Sequence, residues 1–322
     1  MPIHRRALIA SAFALLAAPA FANDYPTRPV RILVPFAPGG GTDLITRTLA
    51  DVIAKSWNAS VVIENKPGGG TTIATQAAIA AAADGYTLLA AANSMIVSPM
   101  LMPVKPYVWD RDLVPVSLFA LSPHILVVHP SVPARTLPEF IAWTKTQGGK
   151  ATFASFGNGS SNHLGFEMLK RELGIEINHI PYKGSAPAMN DLVAGHVNAM
   201  LGDLQNVSEQ LQGGTLRAIA VANEKRLSSL PDLPTLDELG AKGFTSKSWF
   251  GALAKTGTPP EIVAKWSSAF AEALKRPDVQ QRIGALGIEL IGASPEEARA
   301  FMTREAARME DAIKQAGVKS AD

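Results

Sequence analysis

The chain has 322 residues, with 30 Lys plus Arg against 28 Asp plus Glu, and no cysteine. Near-neutrality argues against a nucleic-acid binder, which carries a basic excess. The lack of cysteine removes disulfides, thiolate nucleophiles and Cys–zinc sites together. A chain of this length buries about 75% of its unfolded surface without cross-links, and its length favours two lobes over one.

The first residues read as an export signal. His4, Arg5 and Arg6 form a basic start, and Ala7 to Pro19 is an apolar run too short to span a bilayer. Ala20-Phe21-Ala22 is an A-x-A site, so cleavage is expected after Ala22. No Cys follows it to take a lipid, and the route, Sec or twin-arginine, stays open. Removing two Arg and no acid leaves 28 charges of each sign, so ligand capture must rest on local dipoles rather than a global field. No later apolar run reaches membrane-spanning length. The expected product is a soluble periplasmic protein.

Beyond residue 22, strands alternate with helices. Val30 to Ala37 reads as a strand and Asp43 to Trp57 as a helix with Ile45, Leu49, Val52 and Ile53 on one face. Ser60 to Glu64 is a second strand. Asn65 to Gly70 turns into an Ala-rich helix, Thr71 to Ala83, before a strand at Tyr86 to Ala92. Short Val/Ile/Leu-rich strands between helices indicate a parallel sheet covered on both faces. Pro115 to Leu121 and His124 to His129 read as two strands broken at Ser122-Pro123, where the first crossing between lobes is expected.

The pattern then repeats. Helix Leu137 to Gln147 and strand Ala151 to Phe156 lead to a second Gly-rich turn and its helix. Strands at Asn178 to Tyr182, Val197 to Leu201 and Leu216 to Ala222 alternate with helices at Ala186 to Ala194 and Val207 to Gln212. Pro231 to Gly240 is a Pro-punctuated connector. Strand Ser248 to Ala254 carries the chain back, followed by helix Pro259 to Lys275, ended by Pro277, and a short strand Ile288 to Ile291. Ser294-Pro295-Glu296-Glu297 is a capping box with Pro at the first helical position, opening a helix to about Gln315. The expected division is 1–22 signal, 23–122 plus 251–322 first lobe, and 123–250 second lobe.

The two Gly-rich turns carry the function. Val34 to Asp43 (VPFAPGGGTD) and Phe153 to Leu164 (FASFGNGSSNHL) each join a strand to a helix. Backbone N–H groups and the positive helix end make such a turn an anion site. Two of them, one per lobe, suggest closure on a single anionic ligand. Read alone, Gly39, Gly40 and Gly41 could make only a tight turn. Thr42 and Asp43 read as helix N-caps, with Asp43 as a conceivable partner for a ligand ammonium. Ser160, Ser161 and Asn162 can donate to a ligand, cap the helix, or do both. His163 reads as structural. Trp249 reads as core or cleft wall, and Asp203 ends a strand, where α/β folds line their crevice.

Signatures of catalysis are missing. There is no G-x-S-x-G, S-x-x-K, Walker loop or complete G-x-G-x-x-G. His124, His129, His163, His179 and His196 show no metal-ligand spacing, so no metal, cofactor or catalytic residue is expected.

In order along the chain, RPVRILVPFAPGGGTD (Arg28 to Asp43), VVIENKPGGG (Val61 to Gly70), DGYTLLAA (Asp84 to Ala91) and SFGNGSSNHL (Ser155 to Leu164) resemble the Bug family. These are extracytoplasmic solute receptors of tripartite tricarboxylate transporters. IPYKGSAPAMNDLVAGHV (Ile180 to Val197), LRAIAVAN (Leu216 to Asn223), LPDLPTLDELG (Leu230 to Gly240) and SWFGALAKTGTP (Ser248 to Pro259) extend the resemblance over the mature chain. The run Gly69-Gly70-Thr71-Thr72-Ile73-Ala74 departs from the family's usual Ala-Gly-Gly-x-Ile-Gly, and Phe153-Ala154 and Gly202-Asp203 are also less typical. The resemblance implies an α/β, two-lobed periplasmic-binding-protein fold of type II kind, with mixed sheets flanked by helices and the ligand cleft between lobes. It implies that a ligand carboxylate is gripped by backbone amides of the two loops. Carried over by position, the contacts are Phe36, Ala37, Pro38, Gly39, Gly40, Gly41, Thr42 and Asp43, and Ser155, Phe156, Gly157, Asn158, Gly159, Ser160, Ser161 and Asn162. Asn93, Ser94, Asp203 and Trp249 are the further walls.

The leading reading is thus a monomeric receptor for a small organic anion, working with membrane transporter subunits and without nucleic acid. A ligand sensor signalling to a membrane partner, or a secreted enzyme acting on an anion in the same cleft, are the alternatives.

Overall fold

The computed structural model describes residues 25–284 and 287–317. The expected export signal lies outside the described residues. Two sheets share one long strand. In the first, β1 (Val30–Val34) pairs in parallel with β2 (Val61–Asn65) and β3 (Thr87–Ala91). Helix α1 (Gly41–Trp57) follows β1, and a 3-10 turn (Gly69–Thr71) with α2 (Thr72–Ala80) follows β2. Two helices the sequence reading missed come next. Helix α3 (Asn93–Leu101) is buried on nearly every side, its polar Asn93, Ser94 and Ser98 included, and contains Pro99, so it shows no amphipathic period, and α4 (Trp109–Asp112) is a single turn.

The shared strand is β4, Leu113–Val128. The sequence suggested two strands broken at Ser122-Pro123; the structure has one, changing partners there. Through Pro123 it pairs with β9 (Lys247–Lys255), and from His124 onward with β7 (Ala199–Asp203) and β8 (Arg217–Ala222), all antiparallel. Proline lacks a ladder donor, so it is tolerated at this change of partner. The His124 N–H resumes the ladder by donating to the Ser246 carbonyl at 2.9 Å.

The second sheet adds β5 (Thr152–Ser155), parallel to β6 (Asn178–Pro181) and β7. Around it lie α5 (Leu137–Thr146), α6 (Ser161–Leu173), α7 (Ser185–Val193) and α8 (Leu204–Gln212). Strand β9 then returns the chain to the first sheet. It pairs there from Lys247 on, whereas the sequence-based division put this crossing after Phe250. Helix α9 (Pro260–Lys275) follows. Pro277 does more than end it: it opens α10 (Pro277–Gly284), since proline suits a first helical position. Strand β10 (Glu289–Ala293) pairs antiparallel with β4, and α11 (Pro295–Ala316) begins in the capping box read from Ser294 and Glu297.

Each sheet buries its own core. Ile32, Leu49, Phe119, Trp266 and Phe270 belong to the first; Phe140, Phe153, Phe166 and Leu201 to the second. A smaller separate cluster, Val97, Leu101, Leu164 and Met309, ties α3 and α11 to α6 across the cleft. The two lobes therefore touch at the front as well as through β4 and β9. No described helix is long and apolar enough to cross a membrane.

Candidate functional site

The first Gly loop is built around Asp43. With Gly40 as N-cap, no side chain caps α1, so the first-turn N–H groups of Gly41 and Thr42 lack an intrahelical partner. Neither Thr42 nor Asp43 is the N-cap expected from the sequence. Asp43 is the third helical residue, and from there its carboxylate reaches back to accept from the Gly39 N–H at 3.0 Å. Gly39 has φ +86°, a conformation that favours glycine. Asp43 also accepts from Arg47 Nε at 3.0 Å and Asn65 Nδ2 at 2.8 Å. Burial raises the Asp43 pKa, but these hydrogen bonds outweigh it and hold the carboxyl below its ordinary range. The carboxylate is spent on the loop's shape and is closed to a ligand ammonium.

The second Gly loop spends its amides internally. The Phe156 N–H donates to Asn162 Oδ1 at 3.1 Å, Gly157 N–H to Ser155 Oγ at 3.1 Å, and Gly159 N–H to His163 Nδ1 at 3.2 Å. The Ser160 N–H donates to the Gly157 carbonyl, and Ser160 Oγ caps α6 through the His163 N–H. Beneath the loop, His163 and His179 stack at 3.9 Å. Burial, then Lys170, lowers His163 to about 4; burial, then His163 and Lys170, lowers His179 to about 3. Both rings are thus held neutral, in keeping with the structural reading of His163.

Between the loops lie two chambers with Phe36, Ser94 and Phe156 as common wall. The inner one, about 20 Å³, is lined by Gly40, Gly41 and Thr42 from one side, and Ser160, Ser161, Ser185 and Asp203 from the other. Asn93, Ser248 and Phe250 complete it. The outer one, about 300 Å³, adds Gly157, Asn158, Gly70, Ser98, Leu101, Tyr182 and Lys183. The outer volume is that of a small-molecule site; the inner one has room for about one water-sized polar group.

The remaining sequence candidates sit elsewhere. Pro38 and Gly39 are exposed. The Ala37 N–H donates to the Lys183 carbonyl at 3.0 Å, clasping the lobes. Ser155 faces His179, Gly159 packs against Ser98, and Asn162 braces its own loop. Trp249 is buried and meets Phe301 edge-on, lining a separate cavity of about 260 Å³ with Leu121 and Lys247. Strand alternation explains this: Ser248 and Phe250 face one side of β9, with Ser246 just before it, and Lys247 and Trp249 the other.

The sequence reading missed His124, Ser185, Gln205 and Ser248. His124 is fully buried behind the inner chamber, with Nδ1 2.8 Å from Ser246 Oγ and Nε2 3.0 Å from Ser248 Oγ. Ser161 Oγ joins this cluster, 2.9 Å from Ser248 Oγ. The period-two serines Ser246 and Ser248, at the entry to β9, were the available signal. Ser185 opens α7 and faces Gly40 across the cleft. Among the described residues, no group of three or more His, Asp or Glu side chains is placed to hold a metal.

Two mixed sheets joined by shared strands, with a polar cleft between opposed loop–helix turns, define a solute-binding protein of the periplasmic-binding-protein fold. The chain belongs to the tripartite tricarboxylate transporter family receptors, whose model matches residues 45–318. It is 38% identical to Protein BugT of Bordetella pertussis over 306 residues, 94% of each chain. Among solved structures it is similar to R. palustris Rpa4515 with adipate, at 32% identity and a TM-score of 0.89, covering 92% of this chain and 99% of that one. It is similar also to MatC from Rhodopseudomonas palustris with bound malate, at 32% identity and a TM-score of 0.86, covering 90% and 100%. The family and its neighbours are receptors that bind solutes, which agrees with the resemblance read from the sequence.

Proposed function

We propose that this protein captures a small organic carboxylate between its lobes, after export and cleavage behind Ala22, and delivers it to membrane subunits of a tripartite transporter. The observation that carries this is the inner chamber, where the uncapped first turn of α1 faces the hydroxyls of Ser160, Ser161 and Ser248. Anions are stabilised at such a helix start. Relatives solved with adipate and malate support a carboxylate as ligand. The first loop supplies backbone amides, and the second supplies mainly side chains. Ligand contacts of this kind exist only when both lobes meet, so binding shifts the population toward the closed state. The lobes, residues 23–122 plus 251–322 and 123–250 by the sequence division, hinge where β4 changes partner near Pro123 and where the chain enters β9. The protein acts as a monomer and without chemistry on its ligand.

A thermal-shift screen of the purified protein against carboxylates, phosphates and sugars tests this. A ligand that binds only the native state adds about 2.7 kcal/mol at a hundredfold excess over Kd. A shift with carboxylates alone, without consumption of the acid, is expected. A shift with sugars alone, or turnover of the acid, would overturn it.

A further inference from the structure

Two buried polar groups lining the inner chamber, Asn93 Nδ2 and Asp203 Oδ1, have no hydrogen-bond partner among the described residues, and neither does Gln205 Nε2 behind Gly41. Asn93 and Asp203 line the chamber and are 3% and 2% exposed. Their other polar atoms are committed. Asn93 Oδ1 accepts from the Trp249 N–H at 3.3 Å, which leaves its amide nitrogen over. Gln205 Oε1 accepts from Ser122 Oγ at 2.7 Å, and its amide nitrogen abuts Gly41. Asp203 Oδ2 accepts from Asn206 Nδ2 at 3.3 Å. Asp203 Oδ1 lies 3.3 Å from His124 Nε2, but the angles do not make a hydrogen bond, and that ring nitrogen already faces Ser248 Oγ.

Buried polar groups are rarely left unpaired, and a bound ligand is one way to pair them. The two amide nitrogens and the α1 helix start ask for an acceptor, as a carboxylate provides. Asp203 Oδ1 is an acceptor that asks for the opposite. A bare carboxylate head offers it only lone pairs and like charge. We infer that the ligand's head carries a hydroxyl or ammonium donor beside its carboxylate, and that Asp203 selects for it, with Asn93 holding the neighbouring carboxylate oxygen. This deepens the receptor reading above and rests on it. The class is hydroxy- or amino-carboxylates over their deoxy or deamino counterparts. A site built to hydrogen-bond a ligand donor rejects the analogue lacking it far better than an apolar pocket rejects a missing methylene, because its own group is left unpaired.

The test is isothermal titration of the purified protein with matched acids: malate against succinate, 3-hydroxybutyrate against butyrate, and alanine against propionate. The donor-bearing member of at least one pair should bind about tenfold tighter or more. In Asp203→Asn, checked for an unchanged melting profile, that ratio should fall to within about threefold, chiefly through loss of the preferred acid. Equal or tighter binding of all the plain acids overturns the inference while leaving the receptor reading intact, and needs no variant. An undiminished ratio in Asp203→Asn removes Asp203 as the selecting group. Binding of no acid from any pair removes the carboxylate receptor reading itself, and the inference with it.

Discussion

The two Gly loops look alike as sequence and differ as chemistry. Both join a strand to a helix through residues with positive φ, at Gly39 in one and at Gly157 and Gly159 in the other. In the first, a carboxylate inside the helix ties the turn down from below, and the α1 start stays uncapped toward the cleft. In the second, the amides of Phe156, Gly157, Gly159 and Ser160 are consumed within the loop, and the helix is capped by Ser160. Opposed loops can thus grip one ligand with different groups: a backbone dipole on one side, hydroxyls on the other. The motif places the loop, and its internal hydrogen bonds decide what remains for the ligand.

The sharpest way to break this comparison is to block the first loop. A Cβ on Gly40 would lie 2.5 Å from Ser185 Oγ on the opposite lobe. Gly40 has φ −83°, which any residue adopts, so the cost falls on closure rather than on the turn. Gly40→Val should therefore weaken carboxylate binding by about 100-fold or more, a loss on the order of 3 kcal/mol, with little change in melting temperature. Titration calorimetry beside a thermal melt checks both halves. Unchanged affinity would show that the lobes do not close through this contact.

Asp43→Ala attacks the same loop from below and should behave in the opposite way. It leaves the Gly39 N–H without its acceptor and Asn65 Nδ2 with only the Phe36 carbonyl, and removes the partner of Arg47 Nε, at a cost of about 1 kcal/mol in stability. Denaturant unfolding reads this directly, and an unaltered midpoint would remove Asp43 as the keystone. Affinity should fall as a consequence of the loosened turn.

Much of this was legible in the sequence, for physical reasons. Strong apolar runs next to glycines marked the strands and both loops, and the Ser294 capping box marked α11. What was hidden depended on three-dimensional pairing. Strand β4 read as two strands because proline is a local breaker, yet Pro123 sits where the partner changes and its missing N–H costs little. Helix α3 is buried on nearly every side, and its Asn93, Ser94 and Ser98 turn to the cleft rather than to solvent, so it has no exposed polar face to reveal its period. In β9 the apolar run left Trp249 open as core or cleft wall, and the pleat settles it: Ser248 and Phe250 turn to the cleft and Trp249 to the core around Phe301. His124 had no motif at all. Its partners Ser246, Ser248 and Ser161 come from far along the chain, and only the fold gathers them.

Acid should separate the loops further. His163 and His179 are depressed below the ordinary 6.5 to about 4 and about 3. The unfolded chain therefore binds more protons between pH 6.5 and those values, and stability rises with pH across that window. Their contribution is full above about pH 6.5 and is lost as pH falls toward 4 and then 3. Asp43, also depressed, keeps its contribution until pH drops below its ordinary 3.8. Melting temperature should thus fall between pH 7 and 5 because of the second loop's support, before the first loop titrates. Replacing His179 with Gln should flatten that stretch of the profile. A melting temperature that rises on acidification over this range would contradict neutral burial of the pair.

The smallest effect should come from the cap. Ser160→Ala removes the acceptor for the His163 N–H and the one hydroxyl donor shared between the Gly157 carbonyl, at 2.6 Å, and Asn162 Oδ1, at 2.8 Å. Loss of an N-cap costs about 1 kcal/mol. Because Ser160 also lines the inner chamber, a second consequence separates two views of this loop. If the hydroxyl serves only the helix, affinity should follow stability and change little at temperatures well below the melt. If the loop holds the ligand through its side chains, affinity should drop beyond that, and Ser160→Thr, which keeps the oxygen, should restore both. The contrast with the first loop then becomes measurable: there a side chain added at Gly40 destroys binding, and here a side chain removed weakens it.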